Sequence, residues 1–330
     1  MSREVTVLAT PIFGSPLTPQ MIEQIQAVGA VHVVPISRDG LVHGEGEAAI
    51  ASAEVVLRGA IPASVLDHII GRAPNLKWIH SASAGVDWVA IPTVRAREIT
   101  VTNARGVFSR PIAEYVAMML LAIARRLPQL LELQRERTWQ PLRGRELGEL
   151  TVGIIGFGSI GAELARLLAP SGIRILATRR RPERGIGDAP NVEIFGSDAL
   201  DHVLAESDVV VLATPLTEAT AGMIGAPQLQ TMRETAWLIN IARGRLVDEL
   251  ALRRALESGA IGGAVLDVFN DEPLPPDSPL YTTPNMLVTP HTSWSSDRVA
   301  ERGLALFREN LRRYLADEPL ENVVDLEAGY

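Results

Sequence analysis

The run Thr151-Val152-Gly153-Ile154-Ile155-Gly156-Phe157-Gly158-Ser159-Ile160-Gly161-Ala162 carries an apolar strand pattern straight into Gly156-x-Gly158-x-x-Gly161. A helical pattern follows at once, from Ala162 to Leu168. Strand, tight turn and helix N-terminus stand in the order that a dinucleotide site requires. Gly156 permits the turn, Gly158 lets a pyrophosphate approach the backbone, and Gly161 lets the helix pack close to the strand. Free N–H groups and the helix dipole then face the phosphates.

On both sides of this turn the chain alternates short apolar runs with helical patterns, which predicts parallel α/β structure. Upstream, strands are expected at Val5 to Leu8, Val31 to Val34, Glu54 to Leu57, Leu76 to His80 and Thr100 to Asn103, with helices at Thr18 to Val28 and Pro62 to Arg72. The loop Ser81-Ala82-Ser83-Ala84-Gly85-Val86-Asp87 is small and glycine-bearing, and such a loop can present backbone N–H groups to an anion. One long helix is expected from Ile112 to Arg137, begun by Pro111 and kinked or split at Pro128. Its apolar residues nearly surround it between Ile112 and Ile123, which predicts burial in a domain or a subunit interface. Downstream, strands are expected near Ile173, Val192, Val209, Trp237, Gly263 and Met286, and an amphipathic helix from Ser296 to Leu315.

Composition bounds the function. A length of 330 residues predicts about two domains. Hydrophobic content of 47% against 21% charged residues suits a soluble globular protein with a large core. A net charge of −8 argues against nucleic acid or an anionic membrane as partner. With no cysteine, thiolate metal sites and cysteine nucleophiles are excluded, and the histidines show no metal-ligand spacing. No signal peptide is evident, and the longest apolar stretch, Tyr115 to Ala124, is too short to span a bilayer. A cytoplasmic protein without membrane or metal is expected.

The second strand after the glycine turn ends Ala177-Thr178-Arg179-Arg180-Arg181-Pro182. A carboxylate about 20 residues past the glycines holds the ribose hydroxyls in NAD-binding folds. Here that place is arginine-rich. Guanidinium groups bind a 2′-phosphate through charge-assisted hydrogen bonds, whereas a carboxylate repels it. The sequence therefore predicts NADP(H) in preference to NAD(H), held by Arg179 and Arg180 with Thr178 as a hydroxyl donor.

Three later stretches carry reactive groups, each just past a buried strand: Asn240-Ile241-Ala242-Arg243-Gly244-Arg245, Asp267-Val268-Phe269-Asn270-Asp271-Glu272-Pro273, and Thr289-Pro290-His291-Thr292-Ser293-Trp294. Ligands of α/β enzymes sit beyond the carboxyl ends of parallel strands. An arginine can clamp a carboxylate, and a histidine beside a carboxylate favours its protonated form. Each of these residues alone is ambiguous; together they are the parts needed to reduce a 2-oxo acid.

Taken together, these stretches resemble the D-isomer-specific 2-hydroxyacid dehydrogenase family. The likeness extends through Ser83-Ala84-Gly85-Val86-Asp87, Asn103-Ala104-Arg105-Gly106, Ile112-Ala113-Glu114, Thr214-Pro215-Leu216-Thr217 and Pro319-Leu320-Glu321-Asn322. It implies two Rossmann-like, doubly wound parallel-sheet α/β domains with an active-site cleft between them. Residues 1–100 with 296–330 would bind substrate, and residues 101–295 the dinucleotide. Arg243 would bind the substrate carboxylate and polarise the carbonyl. His291 would donate the proton, and Glu272 would pair with it and raise its pKa. Asp267 would hold the nicotinamide carboxamide. Gly156, Gly158, Ser159 and Ile160 would meet the pyrophosphate, and Pro215 and Ala242 would line the cofactor cleft. Ala84 and Gly85 would grip the carboxylate from the other domain. The basic run 179–181 resembles the NADPH-preferring branch that includes glyoxylate/hydroxypyruvate reductases. Trp294 is bulky where the family favours small residues, and would narrow the pocket or cover the nicotinamide. Phe108, Trp88 and Tyr281 are further pocket candidates. Arg58 reads as a surface charge, or else as a contact for a second anionic group. The apolar helix from Ile112 and the family both imply a homodimer. Two alternatives remain: a dinucleotide-sensing protein like the corepressor relatives of this fold, and a dehydrogenase of another small anion such as formate or phosphite.

Overall fold

Each apolar run of the first hundred residues forms a strand: Val5–Ala9 (β1), Val31–Pro35 (β2), Ala53–Arg58 (β3), Trp78–Ser81 (β4) and Thr100–Asn103 (β5). All pair parallel, in the order β2-β1-β3-β4-β5. The structure, a computed structural model, describes residues 4–12, 16–41, 46–59, 61–86, 89, 91–184 and 191–327. The chain divides into two compact units, Met1–Phe108 with Ser296–Tyr330, and Ser109–Ser295.

In the first unit both faces of the sheet are covered, as parallel sheets require. Alternate residues point to opposite faces. Leu8, Val56 and Ile79 meet Leu66, Ile69 and Ile70 of the helix Ala63–Arg72 on one side. Val7, Val55 and Trp78 meet Ile25 of the helix Pro19–Gln26 and Phe307 and Leu311 of the helix Val299–Leu315 on the other. Trp78 stacks on Phe307 and on Tyr314, each with ring centroids 5.5 Å apart. The C-terminal helix therefore completes the core of the N-terminal sheet.

In the second unit the strands are Thr151–Ile155 (β6), Arg174–Thr178 (β7), Val192–Phe195 (β8), Val209–Leu212 (β9), Trp237–Asn240 (β10), Gly263–Leu266 (β11) and Met286–Val288 (β12). They form a seven-stranded parallel sheet ordered β12-β11-β10-β9-β6-β7-β8. The winding direction reverses between β6 and β9, so the loops after them diverge and leave a crevice at their carboxyl ends.

The helix expected from Ile112 to Arg137 does not run unbroken: of the kink or split expected at Pro128, the structure shows the split, into Ser109–Ala124 and Leu127–Arg135. Arg126 between them is left-handed, with φ 55°. Pro128 lies in the first turn of the second helix, where its missing N–H costs nothing. Nor is the first helix buried all round: Ile112, Val116 and Leu120 are buried, but Met118 and Leu121 are exposed. Among the described residues no helix is long and apolar enough to cross a membrane.

Candidate active site

The glycine turn joins β6 to the helix Ser159–Leu168. Gly156 has φ +99°, and a Cβ there would lie 2.7 Å from the backbone of Thr214. Any other residue would therefore be strained and would push β6 away from the loop after β9. Gly158 caps the helix, and a Cβ on it would meet nothing within 4 Å. That open space lies before the first-turn N–H groups, Ser159 and Ile160 among them, which have no partner within the helix. The turn thus fits a dinucleotide pyrophosphate by backbone alone.

Thr178 ends β7 beside this turn. It is buried, and its Oγ1 accepts from the Gly156 N–H at 3.3 Å while its carbonyl accepts from Phe157 N at 2.8 Å. It therefore braces the turn. Arg179 is half-buried, Arg180 and Arg181 are exposed, and the Arg179 N–H is tied to Phe195 O at 2.9 Å. The basic run thus stands at the end of β7, next to the turn.

The loop after β10 is held by Asn240, a fully buried side chain. Its Nδ2 donates to Arg243 O at 2.8 Å, and its Oδ1 accepts from Ala242 N at 3.1 Å. Gly244 presses this loop onto the segment after β11: a Cβ there would lie 2.0 Å from the carbonyl carbon of Phe269. Arg243 is half-buried, with Nη1 donating to Ala242 O at 2.7 Å. Pro215, in the loop after β9, is exposed, and its carbonyl accepts from Thr220 Oγ1 at 2.8 Å.

Glu272 and His291 meet directly. His291 Nδ1 and Glu272 Oε2 are 2.7 Å apart, and Glu272 Oε1 accepts from Phe269 N at 2.9 Å. The Glu272 carboxylate can only accept, so Nδ1 carries a proton and the chemistry of the ring passes to Nε2. The imidazole remains partly open to solvent, at 42%. Its backbone is left-handed, with φ +48°. The turn around it is held on all sides. Asp267, with no exposed surface, accepts from Thr289 Oγ1 at 2.6 Å, Thr292 N at 2.9 Å and Ser293 N at 2.9 Å. Trp294 Nε1 donates to His291 O at 2.8 Å, so the bulky ring supports the same turn. Asn240 and Thr289 are structural partners that the sequence reading passed over. The available signal was a polar residue ending an otherwise apolar strand.

The first unit carries the remaining candidates. In the turn after β4 the carbonyls of Ser83, Ala84 and Gly85 are taken by Ala104 N at 3.1 Å, Asn103 Nδ2 at 2.8 Å and Ser83 Oγ at 2.9 Å. The N–H groups of Ala84 and Gly85 meet no acceptor among the described residues, as an anion-binding turn requires. Asp87 and Trp88 lie outside the described residues. Phe108 is half-buried, and Tyr281, in the second unit, is exposed. Arg58 is no surface charge: it is 2% exposed, its Nη2 donates to Ile61 O at 2.8 Å, and burial pushes its pKa down to about 10. Among the described residues no group of histidine and carboxylate side chains could hold a metal ion.

The NAD-binding domain model of the D-isomer specific 2-hydroxyacid dehydrogenases matches residues 117–293, more than half of the chain. A glyoxylate reductase of Thermofilum pendens is 37% identical, over 82% of this chain and 80% of its own length. The human glyoxylate reductase/hydroxypyruvate reductase is 37% identical over 76% of this chain and 78% of its own. Among solved structures, a D-isomer specific 2-hydroxyacid dehydrogenase of Xanthobacter autotrophicus bound to NADPH and MES superposes with a TM-score of 0.86. It is 33% identical, covering 98% of this chain and 99% of that one. An NADPH-dependent glyoxylate/hydroxypyruvate reductase of Sinorhizobium meliloti, with NADP and sulfate, gives 0.82 at 27% identity, covering 99% of this chain and 100% of that one.

Proposed function

Because the chain belongs to the D-isomer specific 2-hydroxyacid dehydrogenase family, we propose that it is an NADPH-preferring reductase of small 2-oxo acids, with glyoxylate and hydroxypyruvate foremost. The observation that carries this reading is the His291–Glu272 pair at 2.7 Å, on a braced turn beyond β12, with the Arg243 loop packed against the segment that bears Glu272.

The glycine turn, through the N–H groups of Ser159 and Ile160, would hold a nicotinamide dinucleotide, whose chemistry when bound would be hydride transfer to the substrate carbon. Arg243 binds the carboxylate and draws electron density from the carbonyl oxygen. Ala84 and Gly85, in the first unit, have N–H groups suited to a carboxylate. As the oxygen gains charge, a doubly protonated His291 gives it the proton on Nε2. The Nδ1 proton stays on the ring, hydrogen-bonded to the Glu272 carboxylate, which fixes the ring and stabilises the imidazolium. In the oxidative direction the same Nε2, neutral, removes the proton. Asp267, expected from the sequence to hold the nicotinamide carboxamide, is instead enclosed by the turn it braces, while Pro215, Ala242 and Trp294 shape the walls.

The NADP preference rests on Arg179 and Arg180 standing where a carboxylate would repel the 2′-phosphate. A homodimer is supported by the exposed apolar side chains Met118, Leu121, Leu127, Leu130 and Leu131 and the fully exposed Trp139, all within one stretch of the second unit. A surface of this kind is buried in assemblies more often than left in water.

The test is NADPH oxidation with glyoxylate, hydroxypyruvate, pyruvate and phenylpyruvate, repeated with NADH and with Arg179→Asp. Turnover favouring NADPH, lowered at least tenfold by Arg179→Asp with NADPH only, is the expected result. Equal use of both cofactors by the parent chain overturns the preference. Cofactor binding without turnover of any 2-oxo acid overturns the reaction and favours a sensing role.

A further inference from the structure

A side chain outside the reactive stretches reaches the His291 turn. Tyr115 lies on the helix Ser109–Ala124 and is 9% exposed. Its Oη is 2.6 Å from Thr289 Oγ1, and Thr289 Oγ1 is 2.6 Å from Asp267 Oδ1. The direction of this chain is fixed by valence. A carboxylate only accepts, so the single Thr289 proton goes to Asp267. The Thr289 oxygen must then accept, and the donor is the tyrosine hydroxyl. Burial pushes the Tyr115 pKa up to about 12, so the phenol keeps the proton it donates.

We infer that Tyr115 is a positioning residue for the reaction: through Thr289 and Asp267 it fixes the turn that presents His291. The inference rests on His291 being the proton donor. Asp267 is the hub, because its two oxygens also receive Thr292 N and Ser293 N, the two backbone donors that follow His291. Those bonds oppose the tendency of a non-glycine residue with φ +48° to relax to a right-handed or extended backbone. Turning Asp267 by one rotamer would release both N–H groups together. Thr289 Oγ1 prevents this on one side, and Tyr115 holds Thr289 in the rotamer that reaches Asp267. Thr289 N is independently tied to Leu266 O at 3.0 Å, so the backbone position survives loss of the hydroxyl and only the side-chain chain is broken. In a dry site such chains polarise one another, and their members act as a unit.

Tyr115→Phe keeps the ring and removes one neutral hydrogen bond; kcat falls about 3- to 10-fold. Thr289→Val removes a donor to a carboxylate; kcat falls about 10- to 100-fold. Because the chain runs through Thr289, the double variant is no slower than Thr289→Val alone. Thr289→Ser restores kcat to within about twofold, and KM for the 2-oxo acid moves less than about threefold throughout, since the Arg243 loop is untouched. A second readout needs neither substrate nor cofactor. In ¹⁵N-histidine spectra of the free protein, the His291 Nδ1–H bonded to Glu272 should shift or broaden in Tyr115→Phe and Thr289→Val but not in Thr289→Ser. Parental kcat and an unchanged His291 signal in both variants overturn the inference while leaving the function intact. Additive losses that track the melting temperature also overturn it, by making Tyr115 a packing residue. A parent chain that reduces no 2-oxo acid fails the functional reading instead, and the spectra still decide whether Tyr115 orders the turn.

Discussion

Both sheets are parallel and end in loops at their carboxyl edges, yet the two units bury polar groups differently. In β6–β12 the buried polar groups at the strand ends have their partners in place: Asn240 both donates and accepts to hold the Arg243 loop, and Asp267 accepts to hold the His291 turn. In β1–β5 the buried Glu54 meets Lys77 and Tyr314, but two buried bases, His80 and Arg58, have no counter-charge among the described residues. Among the described residues His80, on β4, meets the Thr102 hydroxyl at 2.8 Å and the rings of Trp78 and Phe307, and burial pushes its pKa down to about 3. Arg58 donates to Ile61 O, and its buried Nε finds no acceptor among the described residues. A buried carboxylate that accepts three N–H and O–H groups organises backbone around it. A buried base without a counter-charge organises nothing and makes its unit sensitive to protonation. The second unit is built to hold side chains for chemistry, and the first to hold a hydrophobic sheet beneath a backbone turn.

The largest expected effect tests the chemical half of that contrast. His291→Asn tolerates the left-handed backbone that the turn requires, so the fold is spared. Its amide cannot deliver a proton as imidazolium can, and kcat should fall about 10²- to 10⁴-fold with the cofactor dissociation constant unchanged. A loss of less than about fivefold would remove His291 from the role of proton donor.

How much of this was legible before the structure follows from what each signal depends on. The strands were readable where burial on both faces demands unbroken apolar runs, as in Trp237-Leu238-Ile239 of β10. The glycine turn was readable because a backbone with φ +99° and a close neighbour admits one residue type. The helix break at Arg126 was harder. Pro128 announces a boundary but not its side, and the left-handed residue that makes the break is an arginine, which carries no such preference. Arg58 was misread because charge predicts exposure on average, and the stem of arginine can still be packed away when its head finds one carbonyl. The family likeness supplied the pairing of Glu272 with His291. The bracing of that pair by Asp267, Thr289 and Tyr115 depends on long-range packing of a helix against a strand end, which no local pattern encodes.

A smaller effect tests the electrostatic half. His80 is neutral in the folded state down to about pH 3, whereas in the unfolded chain it takes a proton near pH 6.5. Between those values the unfolded state binds the extra proton, so stability is fully present above about pH 6.5 and is lost as pH falls. The loss is about 1.4 kcal/mol for each pH unit across that window. Urea midpoints measured from pH 7 to pH 4 should fall, with amide exchange rising first in β1–β5. His80→Gln, which cannot charge, should flatten the slope. An equal slope in parent and variant would mean that other groups govern acid unfolding.

The smallest effect asks whether the two units can be perturbed one at a time. Each contains a helix whose N-cap oxygen accepts a first-turn N–H: Thr18 Oγ1 from Met21 N at 3.2 Å in the first, and Asp248 Oδ1 from Ala251 N at 3.0 Å in the second. Alanine at either site removes the cap, at a cost of about 1 kcal/mol. Asp248→Ala should cost somewhat more, since its charge also meets the helix dipole, and salt should narrow the difference by screening that part alone. If the units respond separately, Thr18→Ala speeds amide exchange in β1–β5 and leaves β6–β12 unchanged, and Asp248→Ala does the reverse. Uniform acceleration in both sheets from either variant would mean that the chain opens as a single cooperative body. The contrast between the two sheets would then be one of chemistry and not of stability.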